Sequence, residues 1–347
     1  MKHLFHTSFA LIALLLIPTL TSCGLINEDL EPCETRVTLT FVDDYNMNRA
    51  DAFANEVESV AVWAFDQDGK CVWSKTDSGD ALTHPGYSIG IDLPDGTYDF
   101  IAWCGKEGNS DFSLAASDIT SKDDLRLMLE AENARAVLPD ADVVSKKDLK
   151  TIFHGKLDAV TIKHDPSSPK SIDLRMRLVK DTHTVRVALH NVDGRVMDPK
   201  DFAVYITAEN SILNFDNEWM KCPVVRYADW NIRPIEAVIP DGNGGSIVTS
   251  NTAIQAELTT SRLFREKGAT LTIKNLKDDR IVFSLELTHY LTQGRGTAHQ
   301  NMPEQEFLDR NAEYNLIFFL DNNNNWYLPL GIYVNDWHVV PDQISEF

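Results

Sequence analysis

Short stretches in which apolar and polar residues alternate, each closed by turn residues, recur from residue 36 to the end of the chain and constrain its fold more than any other feature. Val37, Leu39 and Phe41 interleave with Arg36, Thr38 and Thr40. A period of two sends successive side chains to opposite faces, which is the pattern of a strand with one buried side. Tyr87, Ile89, Ile91 and Leu93 repeat it, as do Ile172, Leu174, Met176 and Leu178, then Val185, Val187 and Leu189, then Phe202, Val204 and Ile206. Further strands are expected at 152–162, 252–258, 269–274, 280–287, 314–320 and 332–335. Helical signals are few. Ser121 can cap a helix in which Leu125, Met128 and Leu129 share a face, and one helical turn is expected at 304–308 after Pro303. Short, regularly spaced strands with one or two short helices predict an all-β chain of two antiparallel β-sandwiches.

Turn chemistry orders these strands. The apolar run 60–65 meets Asp66-Gln67-Asp68-Gly69 and returns as Cys71-Val72-Trp73, which predicts a central hairpin. Pro94-Asp95-Gly96 lies between the strand that ends at Leu93 and the segment 97–103, which predicts a second hairpin. His164-Asp165-Pro166-Ser167-Ser168-Pro169 is the best linker, so residues 36–166 are expected to form the N-terminal sandwich and 167–347 the C-terminal one.

The N-terminus has a different character. Lys2 precedes an apolar run at 9–20 that closes on Leu20-Thr21-Ser22-Cys23. The run is short for a bilayer span and ends in small residues, so 1–22 reads as a bacterial lipoprotein signal peptide, cleaved before Cys23. Lipid on Cys23 would hold the chain on a membrane. One acyl chain binds marginally at about 0.8 kcal/mol per buried methylene, whereas two or three bind stably. Residues 23–35 are then a lipidated, acidic tether.

A net charge of -20, spread along the chain, disfavours nucleic acid as a partner, since phosphate binding needs clustered Lys and Arg. Export leaves Cys33, Cys71, Cys104 and Cys222 in an oxidising compartment. Four cysteines allow three complete pairings; Cys33 before the first strand and Cys104 at the end of a later one form the preferred disulfide. No CxxC pair or histidine cluster predicts zinc, and no cofactor is expected.

Four other groups of residues were weighed for chemistry. Gly86-Tyr87-Ser88-Ile89-Gly90 matches the nucleophile-elbow spacing, but a serine on a straight strand lacks the strand-to-helix turn that exposes such a nucleophile. Asp66 to Gly69 resembles part of a calcium loop yet reads as a hairpin turn. His183 and His190, seven apart on one strand, face opposite sides and cannot share a metal. Asp321-Asn322-Asn323-Asn324-Asn325-Trp326-Tyr327 could cradle a sugar, as could Trp219 and Trp230, although asparagines between strands ordinarily make a hairpin turn and sandwich tryptophans ordinarily pack.

The order of several short pieces carries a resemblance. Cys23, an acidic spacer, Pro32-Cys33, the strand at 36–41 and Asp44-Tyr45-Asn46-Met47 come first. Ala52-Phe53, Val57-Glu58-Ser59-Val60, Phe65-Asp66-Gln67-Asp68-Gly69-Lys70 and Leu93-Pro94-Asp95-Gly96-Thr97-Tyr98 follow, and Ile332-Tyr333-Val334-Asn335-Asp336-Trp337 precedes Val339-Val340. In this the chain resembles the fimbrial anchor subunits of type V pili, the lipoproteins related to the minor-fimbrium and fimbrillin-associated anchors of Gram-negative anaerobes. The resemblance implies tandem transthyretin-like Greek-key sandwiches, an outer-membrane, cell-surface location through Cys23, a place at the base of a fimbrium and no enzyme activity. The expected partner is a shaft pilin, joined by strand complementation, with 332–340 as one candidate element. A surface glycan-binding lipoprotein is the alternative function, and an exported hydrolase acting through Ser88 comes third. Cys23→Ala should move the protein, with any filament it holds, from the membrane fraction to the soluble one, as fractionation and immunoblotting would show.

Overall fold

The computed structural model describes residues 36–164, 170–240, 246–335 and 337–339; the expected signal peptide, the expected tether with Cys23 and Cys33, and positions 165–169 of the expected linker lie outside them. The first sheet has the strand order β3-β2-β5-β10-β11-β1-β4. Its members are β1 (Val37–Val42), β2 (Ser59–Phe65), β3 (Cys71–Ser78), β4 (Ser88–Ile91), β5 (Gly96–Gly105), β10 (Ile152–Ile162) and β11 (Ile172–Lys180). β11 meets β10 only where Leu178 to Lys180 oppose Phe153 to Gly155, and otherwise runs parallel to β1. The sheet therefore folds over into two layers. Leu39, Phe41, Ile89, Ile91, Met176 and Leu178 from one layer share a core with Val60, Val62, Phe100, Ala102 and Cys104 from the other.

The second sandwich is built from two six-stranded sheets. One has the order β16-β17-β12-β20-β21-β22, from β12 (Thr182–Asn191), β16 (Asn231–Pro240), β17 (Ser246–Ser261), β20 (Glu313–Leu320), β21 (Ile332–Val334) and β22 (Trp337–Val339). The facing sheet, β19-β18-β13-β15-β9-β8, contains β8 (Glu132–Asn133), β9 (Val143–Ser145), β13 (Phe202–Ala208), β15 (Val225–Ala228), β18 (Thr270–Asn275) and β19 (Arg280–Glu286). A small sheet of β6 (Phe112–Leu114), β7 (Leu127–Leu129) and β14 (Ile212–Leu213) bridges the two halves. Short helices α1 (Phe53–Glu56), α2 (Leu287–Gln293) and α3 (Glu304–Arg310) complete the described elements, with single 3-10 turns between strands.

Four expectations change. The hairpin at 66–69 forms, with Asp66 Oδ1 accepting from the main-chain N–H of Asp68 and Lys70 and Gly69 at φ +74°, but β3 is an edge strand rather than a central one. β4 and β5 do not pair with each other: β4 pairs with β1 and β5 with β2 and β10. Ile89 and Tyr98 must both reach the same core from opposite layers, so Pro94 to Gly96 carries the chain between layers, and Tyr98 Oη donates to the Pro94 carbonyl at 3.1 Å. Ser121 does begin a helical turn, and the Asp124 carboxylate accepts from the N–H and hydroxyl groups of Thr120 and Ser121, which lower its pKa to about 2. The turn stops at Leu125, however, because Leu127 and Leu129 alternate inward as strand β7. Finally, the expected boundary at 166/167 separates β10 from β11, which are neighbours in one sheet, while β8 and β9 join the second sandwich. Alternation shows that Met176 and Leu178 are buried but not in which core, and the chain changes sandwich at Asp181.

β5 joins the cores. Phe100, Ala102 and Cys104 enter the first, whereas Ile101 and Trp103 enter a cluster that continues through Phe112, Leu125 and Leu127 into the second sandwich. Trp103 Nε1 donates to the Leu125 carbonyl at 3.1 Å, so the indole N–H is not left unpaired by its burial.

The joint itself is polar. Asp181, fully buried between β11 and β12, accepts from Asn217 Nδ2 at 2.8 Å and lies 3.8 Å from Arg262 Nε. Arg262 also grips Asp309 of α3 through two bonds of 2.9 Å and donates to the Asn217 carbonyl. Met47 N–H donates to the Arg310 carbonyl at 3.1 Å, and the Arg310 guanidinium covers the Tyr45 ring at 3.9 Å. Removing one partner of such a buried pair costs about 3–5 kcal/mol because the other charge is stranded. Asp181 Oδ2 and the Nδ1 of buried His183 have no hydrogen-bond partner among the described residues, and burial raises the Asp181 pKa to about 7 against the pull of Arg262.

Folding thus raises the Asp181 pKa above its unfolded value of about 3.9. Between these values the folded chain keeps a proton that the unfolded chain releases, so stability falls as pH rises from about 4 to 7, by at most about 1.4 kcal/mol per pH unit. In Asp181→Asn this component should be absent. Urea midpoints measured from pH 4 to 8 should show the wild type losing stability relative to the variant across that window, with a constant difference above it.

Candidate functional site

Strand directions give the molecule two ends. β1 runs parallel to β11, and β11 ends at Lys180 beside the joint, so Val37, the first residue of β1, lies at the end of the first sandwich away from the joint. β12 leaves the joint, β20 runs parallel to it, and both point to the far end of the second sandwich. β22 is antiparallel to β21, itself antiparallel to β20, so the chain's last described strand also heads to that distal end. β17 pairs with β12 only as far as Ala253 opposite His190; beyond it β16 and β17 continue as a two-stranded ribbon.

The turn 321–325 sits at this distal end. Asp321 accepts from the N–H groups of Asn323 and Asn325 and from Asn325 Nδ2, Asn324 has φ +57°, and the chain returns as β21 beside β20. These bonds hold the Asp321 carboxyl below its ordinary pKa even though partial burial opposes them. Arg195 donates to the Asn322 carbonyl, and Arg280 to those of Asn323 and Asn324. Trp326 packs on Phe283 with 4.6 Å between ring centroids, so the segment is a hairpin turn whose tryptophan serves the core. Trp219 Nε1 donates to the Glu209 carbonyl and its ring lies under the Lys267 ammonium at 3.5 Å, while Trp230 Nε1 donates to Thr259.

The other singled-out residues are dispersed. Ser88 is exposed on straight β4 opposite Thr40. His183 is buried with its Nε2 3.0 Å from the Leu308 carbonyl, and His190 lies on the other face of β12. The Cys104 thiol is buried, which raises its pKa, and its preferred partner Cys33 lies outside the described residues; Cys71, Cys104 and Cys222 are free among those described.

Sequence reasoning missed an aromatic row on the outer face of the distal sheet. His190 of β12 meets Phe319 of β20 at 5.7 Å, Phe319 meets Tyr333 of β21 at 6.1 Å, and Tyr333 meets His338 of β22 at 4.9 Å. Each residue is readable as an outward position of its own strand, but only strand pairing brings them abreast. Tyr327, Leu328, Leu330 and Trp337, each about two-fifths exposed, cluster in sequence around β21 and β22 at 39%, 45%, 41% and 45%. Trp337, on the opposite side of β22 from His338, lies against Gly296 in the segment after α2. A Cβ at Gly296 would stand 2.4 Å from the indole, and Gly296 has φ +52°, so only glycine fits there.

The family profile for fimbrillin-A associated anchor proteins Mfa1 and Mfa2 matches residues 30–342. No curated protein matches. Among solved structures, a candidate adhesin from Bacteroides thetaiotaomicron is 29% identical with a TM-score of 0.75, covering 90% of this chain and 99% of its own. A candidate polysaccharide-binding protein from the same organism is 24% identical with a TM-score of 0.71, covering 89% and 99%. The fimbrial anchor protein Mfa2 from Porphyromonas gingivalis, at 18% identity and a TM-score of 0.63, covers 89% and 99% and shares the fold.

Gly296→Val should drive Trp337 from its seat and loosen β22, with about 1–3 kcal/mol of local stability lost. Hydrogen exchange read by mass spectrometry should quicken in peptides spanning 332–339 and stay unchanged in the first sandwich.

Proposed function

Because the chain belongs to the family of fimbrillin-A associated anchor proteins, we propose that it is a non-enzymatic lipoprotein that holds the base of a fimbrium to the outer membrane. Lipid on Cys23 secures one end, and strand complementation with a shaft subunit secures the other. The two-ended course of the chain is the observation that supports this reading most: the tether enters at one pole, and the β16–β17 ribbon and β22 point to the opposite pole. A tether and a docking surface at opposite poles let one molecule link a membrane to a filament without either obstructing the other.

A polar joint and a shared core suit the same task, since tension between the poles passes through β5 and the Arg262 cluster rather than through a loose linker. The acidic surface keeps the exported chain soluble before assembly. Glycan binding is the competing function, and the aromatics first considered for it, Trp326, Trp219 and Trp230, are engaged by protein groups.

Deleting the gene in the native host should shed filaments into the medium or leave them abnormally long, as electron microscopy and fractionation would show. Unchanged, cell-attached filaments would remove the anchor reading and put glycan binding of the purified protein first.

A further inference from the structure

Among the described residues the aromatic row ends at the edge of a sheet. His190, Phe319, Tyr333 and His338 succeed one another across four neighbouring strands of one sheet, and β22 is the last. Such rows are built from cross-strand pairs, each ring resting on the next. The final ring, His338, is exposed, its Nε2 lies 3.0 Å from the Leu330 carbonyl, and among the described residues β22 pairs only with β21.

The main chain is open at the same place. Val334 and Trp337, three positions apart in the chain, stand opposite each other in the β21–β22 ladder, and a pair so close in sequence exchanges both main-chain hydrogen bonds. The alternate residue, His338, therefore turns its N–H and C=O away from β21 toward the free edge. Trp337, seated on Gly296, fixes β22 from the other side. β16 carries Pro234 and a bulge after Ile235, whereas β22, three residues long, has neither proline nor bulge among its described residues. No row member is acidic, although the chain carries -20.

We propose that the free edge of β22 accepts an extended strand of the filament subunit, whose aromatic or branched apolar side chain beside His338 becomes the fifth member of the row. This rests on the anchor reading and makes the chain the acceptor of the strand. Main-chain bonds to His338 supply attachment, and the row selects for an uncharged side chain at one position of the incoming strand.

The test returns full-length variants to a host lacking the gene and measures filament in the medium against filament on cells. Tyr333→Ser with His338→Ser removes the end of the row. His338→Pro also removes the outward N–H while sparing the ladder to β21. Val72→Ser, at an exposed position on β3, is the control. Circular dichroism of each purified variant and its membrane content establish folding and attachment. Both edge variants should weaken filament holding about tenfold, with His338→Pro no milder than the double variant, and the control should match wild type. Wild-type retention by either folded, membrane-bound edge variant overturns the proposal while the anchor reading stands. Filaments that stay attached in the deletion host itself overturn the anchor reading, and this proposal with it.

Discussion

The burial of β5 on both faces is the constraint on which the architecture turns. An ordinary sandwich strand sends alternate residues to water, but between Phe100 and Cys104 every residue is buried, with Phe100, Ala102 and Cys104 in one core and Ile101 and Trp103 in the other. Fully burying a side chain of this size stabilises by roughly 1.5–3 kcal/mol, and here the gain is available only when both sandwiches are present. Two units that would otherwise be connected by a linker become one body whose halves support each other.

The polar joint refines what β5 begins. Apolar burial is indifferent to small rotations, whereas the paired bonds between Arg262 and Asp309, with Asn217 and Asp181 beside them, tolerate few geometries. The cost is a cluster in which buried atoms of Asp181, His183 and Asn217 have no partner among the described residues. A proton on Asp181 relieves that cost, which couples the joint to pH. Orientation of the second sandwich, and with it the direction of its distal pole, follows from these few side chains.

At the distal pole the same sheet physics produces a surface rather than a core. The inner face of β20 supplies Tyr314, Leu316, Phe318 and Leu320 to the core, and its outer face supplies Phe319 to the row. Cross-strand pairs accumulate from His190 outward and end at β22, the last strand of this sheet among the described residues.

Alternation in the sequence determined the strands and their buried faces, because a period of two is a local property that Val37, Leu39 and Phe41 display unaided. It also determined the turns at 66–69 and 321–325, where Asp66 and Asp321 bond to main chain within four residues. Helix length at 121–129 was not legible, since the cap at Ser121 and Asp124 is local but the claim of β7 on Leu127 and Leu129 comes from β6 and β14. Nor was the pairing of β4 with β1 or of β11 with the first sheet, because alternation records that a face is buried and not what buries it. Tertiary structure alone decided which strands are neighbours, and so which outward residues form the aromatic row, which charges meet at Asp181 and which strand forms the sheet's edge among the described residues. Those are contacts between residues far apart in the chain, selected by the shared burial of whole faces rather than by any local spacing.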